Sequence, residues 1–223
     1  MTDITPVIEP EPPVGAPTSR LLPRILKVAW MAIIAGFILQ TAVLAAKLLA
    51  GGAFPGAKLF VDVAGGVTWA VLVCAGVALG TAAAKARSTV MGLLGLISAP
   101  VAFTAAKGVQ KGVAEVLDLA ADAVTPLVYM IGATRAVEYA VLGAGLGWLL
   151  LRDKGLKGYI VLGLFVGVVF GGIILALTLA HANPQPAAIA GIAVNEMVFP
   201  AMCAVIIYLV SLTGRHVKAL KTA

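Results

Sequence analysis

Apolar stretches of roughly 18 residues or more recur along this chain, at about 27–49, 60–83, 89–106, 127–151, 159–181 and 187–212. Each is long enough to cross a hydrocarbon core of about 30 Å as a helix, the one single-segment form that satisfies all its own backbone N–H and C=O groups in lipid. The pattern therefore calls for an all-α, polytopic helical bundle of six transmembrane helices. A β-barrel would need strict polar/apolar alternation, which is missing. Composition agrees, because 61% hydrophobic and only 12% charged residues lie far from a soluble domain, where about 25% are charged.

The first 19 residues hold Pro6, Pro10, Pro12, Pro13 and Pro17 among acidic Asp3, Glu9 and Glu11. Such a composition cannot bury a core and favours extended backbone. Residues 1–19 thus read as a disordered cytoplasmic tail, 20–215 as the six-helix transmembrane domain and 216–223 as a basic cytoplasmic tail. The basic cluster Arg20, Arg24 and Lys27 follows the acidic segment, the reverse of a signal peptide, so the first helix is expected to remain as an anchor.

Flanking charge sets the expected orientation. Arg20, Arg24, Lys27, Lys85, Arg87, Arg152, Lys154, Lys157, Arg215, Lys218 and Lys221 fall on one side of six spans. Lys58, Lys107 and Lys111 fall on the other, among Asp62, Glu115, Asp118 and Asp122. Short cytoplasmic loops prefer Lys and Arg, so both termini are expected in the cytoplasm of a cell membrane of the bacterial inner-membrane kind. The net charge of +6 follows from this topology and from anionic head groups, and needs no nucleic acid.

Between the third and fourth spans, KGVQKGVAEVLDLAADAV sets Val109, Val113, Val116, Leu117, Leu119, Ala120 and Val124 at roughly helical spacing. An interfacial helix on the outer face is the first reading, with Glu115, Asp118 and Asp122 on its solvated side. The alternative is that the third span continues outward as one long helix.

Lipid supplies no hydrophobic drive between helices, so they associate where small residues let backbones approach. Gly76 and Gly80, Gly143 and Gly147, and the ladder Gly163, Gly167 and Gly171 provide such sites, for intramolecular packing first and for a homo-oligomer as the alternative. Six spans also divide into two groups of three that start on opposite sides of the membrane, the geometry of a 3+3 inverted repeat. Pro100 and Pro200, each an expected helix kink, lie a little beyond the middle of the last span of each half.

Polar groups inside the spans carry the functional information, since an ionised side chain at the bilayer centre costs about 2.5–3.5 kcal/mol on the lenient scale. In the fourth span Arg135 and Glu138 stand at i and i+3 on one helix face; in the sixth, Asn195 and Glu196 stand near the midplane. Facing lipid, the three charged groups would together cost on the order of 9 kcal/mol. Arg135, Glu138 and Glu196 are therefore expected to turn inward and satisfy one another. One guanidinium neutralises one carboxylate, so the second must hold a proton or a cation.

Pro200 adds to this site, because its ring clashes with the carbonyl of Glu196 four residues earlier and frees it from the helix ladder. That oxygen, the carboxylates and the Asn195 amide make a cluster suited to a proton relay or a small hard cation. The plainer alternative is a proline kink beside polar groups that tie helices together. Tyr139 and Gln40 are auxiliary candidates, as a donor to the cluster and a hydrogen bond across helices. Lys47 is expected to snorkel to the outer interface. His181 is read as a cap at the end of the fifth span, Trp30 and Trp148 as interfacial anchors, and Cys74 and Cys203 as small buried hydrophobes.

No HExxH, GxSxG or GxxxxGK signature and no pair of intramembrane aspartates is present. Neither a cofactor nor a metal is expected. The sequence thus points to a membrane carrier or channel whose midplane site of Arg135, Glu138, Asn195 and Glu196 handles a proton or small cation, with coupling to a solute as an option. The main alternative is a non-transporting scaffold or assembly subunit, in which that cluster locks helices and the Pro-rich tail recruits a partner. An intramembrane enzyme using Glu138 or Glu196 as acid or base is the third class. Expected partners are the lipid bilayer and a second copy or other membrane subunits, with no nucleic acid.

Overall fold

The computed structural model describes residues 18–82, 86–120 and 125–219, with side chains between Leu22 and Leu212. The expected tail at 1–19 lies outside these residues apart from its last two positions, as do Lys85, Asp122 and Lys221. Among the described residues six helices make up the fold: α1 (Thr18–Leu49), α2 (Lys58–Leu79), α3 (Arg87–Val116), α4 (Pro126–Leu151), α5 (Leu156–His181) and α6 (Pro186–Ala219). A 3-10 turn, Gly80–Ala82, prolongs α2. All six helices are long and apolar enough to cross a membrane, and the described residues contain no strand. This is the pattern of a multi-pass membrane protein.

Local chemistry explains where the helices start and stop. Pro126 opens α4 and Pro186 opens α6, at positions where the missing N–H would have had no partner. Three helices end on Schellman motifs built on a left-handed residue, at Gly51 (φ 83°), Asp118 (φ 56°) and Asp153 (φ 51°). In each, the N–H of the next residue reaches back five positions: Gly52 to the Lys47 carbonyl, Leu119 to Ala114 and Lys154 to Leu149, at 2.9, 2.8 and 3.1 Å. Aspartate tolerates that conformation better than most residues.

The third span corrects the first sequence reading. Residues 107–116 form no separate interfacial helix; α3 runs unbroken through Pro100 and Lys107 to Val116. Nothing in KGVQKGVAEV stops a helix, and the stop comes only at the Asp118 turn.

Short connections make consecutive helices antiparallel neighbours, α1 packs back against α6 to close the ring, and α2, α4 and α6 touch one another inside it. Close approach depends on glycine. A Cβ on Gly143 would overlap the Met91 backbone and one on Gly147 the Ser88 backbone, joining α3 to α4. On α5, Gly163, Gly167 and Gly171 all face α6, where added carbon would meet the backbone of Ala201, the carbonyl of Met197 at 2.5 Å and the Glu196 Cβ at 2.9 Å. All of these contacts lie within the chain.

The interior is built from small and β-branched residues such as Ala32, Val73, Ala99 and Ala204, with Cys74 and Cys203 fully buried among them. The outside is as apolar as the inside: Ile38, Phe60, Ile97, Val161 and Phe165 are all more than half exposed. A surface of that kind suits lipid rather than water. Trp30 is exposed on α1, and Trp148 carries the Arg152 guanidinium 5.2 Å from its ring centroid.

Candidate functional site

At the end of the bundle away from the termini, α1, α2, α3, α4 and α6 part to leave a cavity of about 390 Å³. Lys47, Asp62 and Lys107 line its mouth, and Gln40, Trp69, Arg135, Asn195 and Glu196 its deeper wall. Arg135 lies nine residues into α4 (135 − 126) and Glu196 ten into α6 (196 − 186). At about 1.5 Å per residue both sit about 14–15 Å from their helix starts, half the thickness of a hydrocarbon core.

Their equal depth brings them together. Arg135 Nη2 donates to Glu196 Oε1 in an ion pair whose side chains are only 15% and 7% exposed. Asn195 Nδ2 donates to the same oxygen at 2.9 Å. The guanidinium carbon lies 4.7 Å over the Trp69 ring, a cation–π contact that holds the charge from a second side. Trp69 in turn sits in an aromatic nest. Tyr139 meets it at 5.5 Å and Phe103 at 6.5 Å, both edge-on, and Phe199 at 6.4 Å.

Glu138 is placed differently. One turn deeper on α4, about 18 Å from its start, it is fully buried, and neither carboxylate oxygen has a hydrogen-bond partner among the described residues. It is not on the cavity wall. The Arg135 Nε is also without a hydrogen-bond partner among the described residues. The structure thus brings Arg135, Asn195 and Glu196 into contact and leaves Glu138 behind them, where the sequence reading had all three charged groups satisfying one another.

Two further expectations need correction. The Glu196 carbonyl freed by Pro200 does not join the carboxylate: a Cβ on Gly167 would come within 2.9 Å of it, so it faces α5, the one helix that does not line the cavity. Lys47 does not simply snorkel, since its Nζ lies 3.4 Å from Asp62 Oδ2 across the cavity mouth. Gln40 crosses to α2, where its amide lies against Gly66. Tyr139 contributes ring packing, and its hydroxyl makes no hydrogen bond to the Arg135–Glu196 cluster among the described residues. His181 Nδ1 lies 3.0 Å from the Leu177 carbonyl of its own helix, an exposed local contact.

Sequence reasoning missed Trp69, Phe103, Lys107 and Gln110 as parts of one site. Phe103, Ala106, Lys107 and Gln110 follow the i, i+3, i+4, i+7 spacing of one helix face. That signal was readable once α3 was taken to continue past Lys107. The adjacent pair Gly65 and Gly66 was the other clue, since bare backbone on α2 leaves room for the Gln110 and Gln40 side chains. Among the described residues no group of His, Cys, Asp and Glu is arranged to hold a metal ion. Compared with protein families, with curated proteins and with solved structures, the chain matches none.

Proposed function

We propose that this chain is a multi-pass membrane carrier in which Arg135, Glu138 and Glu196 handle one proton at mid-depth, coupled to a solute that enters the cavity. The observation that carries the reading is an ion pair at the cavity's deep wall with a second, unpartnered carboxylate buried behind it. One guanidinium and two carboxylates are electroneutral only with one proton added. With Arg135 on Glu196, that proton sits on Glu138, where a bare anion without a partner would be costly. With Arg135 turned one helical turn to Glu138, the proton sits on Glu196, facing the cavity. Exchange of Arg135 between its two carboxylates moves the proton between the cavity and the interior.

A proton suits this geometry better than a metal cation, because Glu196 Oε1 already accepts from Arg135 and Asn195 and the Glu196 carbonyl faces α5. The charge distribution in the sequence supports placing the termini in the cytoplasm and the cavity mouth on the opposite face. An inverted relation between α1–α3 and α4–α6 fits as well. Pro100 lies 13 residues into α3 (100 − 87) and Pro200 lies 14 into α6 (200 − 186), counted from opposite faces.

The test is proton uptake by proteoliposomes loaded with a pH-sensitive dye, with small neutral, anionic and cationic solutes supplied outside in turn and charge balanced by potassium and valinomycin. Wild type takes up protons faster than empty vesicles, and Glu138→Gln and Glu196→Gln fall to the vesicle rate. Equal uptake by wild type and both variants removes the reading and favours a scaffold in which the pair only joins helices.

A further inference from the structure

We propose that the cavity is a binding site for a small organic monocarboxylate, whose charged end meets Lys107 and whose apolar body lies against Trp69 and Phe103. The inference deepens the carrier reading and rests on it, since a carboxylate and the proton held by the glutamates would cross together without net charge. The charge inventory of the wall carries it. Three cations, Lys47, Lys107 and Arg135, face two carboxylates, Asp62 and Glu196. Lys47 is engaged by Asp62 and Arg135 by Glu196. Lys107 is left, half-buried and with no ion pair among the described residues. One uncompensated ammonium in a half-enclosed cavity calls for one negative charge; a dianion would bring a second charge with nothing to meet it.

The rest of the wall selects the body of that anion. Gln110 stands beside Lys107, one turn along α3, with its amide laid flat on α2: a Cβ on Gly65 would come 2.5 Å from its Nε2. Its NH₂ adds a neutral donor beside the cation, and that of Gln40 another on the deeper wall. Between them the wall is apolar, formed by Trp69, Phe103, Ile131 and Ile192, so an inorganic ion would leave most of it unused. At about 390 Å³ the space is near the lower end of about 300–1,000 Å³ for ligand sites.

Equilibrium binding of radiolabelled benzoate and butyrate to the full chain in phosphatidylcholine nanodiscs tests the inference. Saturable binding is expected, about tenfold or more weaker in Lys107→Gln, as loss of one charge-assisted contact predicts. Lys107→Arg retains it, and Lys111→Gln, whose lysine pairs with Glu115 outside the cavity, leaves it unchanged. Benzamide and inorganic phosphate do not compete. Absence of saturable binding of both acids to wild type, equal competition by benzamide or phosphate, or unaltered affinity in Lys107→Gln would overturn the assignment. The outcome is separable from the carrier reading, because proton uptake that depends on Glu138 can persist when carboxylate binding fails, and binding can persist when uptake fails.

Discussion

Arg135 of α4 and Glu196 of α6 form the one ion pair that links two helices deep in the bundle among the described residues, and these two helices otherwise touch little. Removing either member breaks that contact: without Arg135 two buried carboxylates lose their counter-ion, and without Glu196 the guanidinium has only Glu138 to turn to. Arg135→Met or Glu196→Leu is therefore expected to destabilise the protein by about 3–5 kcal/mol, whereas the double replacement Arg135→Met with Glu196→Leu should recover most of that loss. Denaturant unfolding of the four proteins in one detergent closes the cycle. Additive losses would mean that the pair is not a coupled unit.

The glycine ladder of α5 separates steric need from mere smallness. Gly167→Ala sets a carbon 2.5 Å from the Met197 carbonyl and 2.9 Å from that of Glu196, and neither backbone can yield without parting α5 from α6. A loss of about 1–3 kcal/mol is expected. Gly172, five residues on, has open space around its Cβ position, so Gly172→Ala should stay within about 0.5 kcal/mol of wild type. Thermal melting of the two variants side by side reads the difference.

Accessibility maps the cavity and its sidedness. Cys74 and Cys203 are fully buried, so the native chain should resist a charged methanethiosulfonate reagent. Ala188→Cys at the cavity mouth should react when that reagent is added outside intact cells. Asn195→Cys, deeper on the same wall, should react more slowly, and benzoate should slow it further. Labelling of Ala188→Cys only after the cytoplasmic face is opened would reverse the proposed orientation.

The six helices were legible because hydrophobic length is a local property: five of the six spans need only the residues between their own ends. The third was cut short at Lys107 because a lysine after an apolar run reads as an exit from the bilayer, whereas here it is the inward face of a helix continuing to Val116. That Arg135, Glu138 and Glu196 would turn inward followed from the cost of charge in lipid, but which carboxylate Arg135 holds did not. Nor did the separation of Glu138 from the cavity, because depth along a helix says nothing about which neighbour covers a side chain. Trp69 was hidden for the same reason. An aromatic residue in an apolar run looks like any other until Arg135 is found over its ring.

In the proposed carrier two buried carboxylates, Glu138 and Glu196, share one guanidinium and one proton. Infrared spectroscopy of the protein in an ester-free detergent at neutral pH tests it most directly, through the carbonyl stretch of a protonated carboxylic acid. Wild type is expected to show that band, and Glu138→Gln to lose it while the Arg135–Glu196 pair persists. A wild-type spectrum without a protonated carboxylic acid, or a band that survives unchanged in Glu138→Gln, would contradict the account.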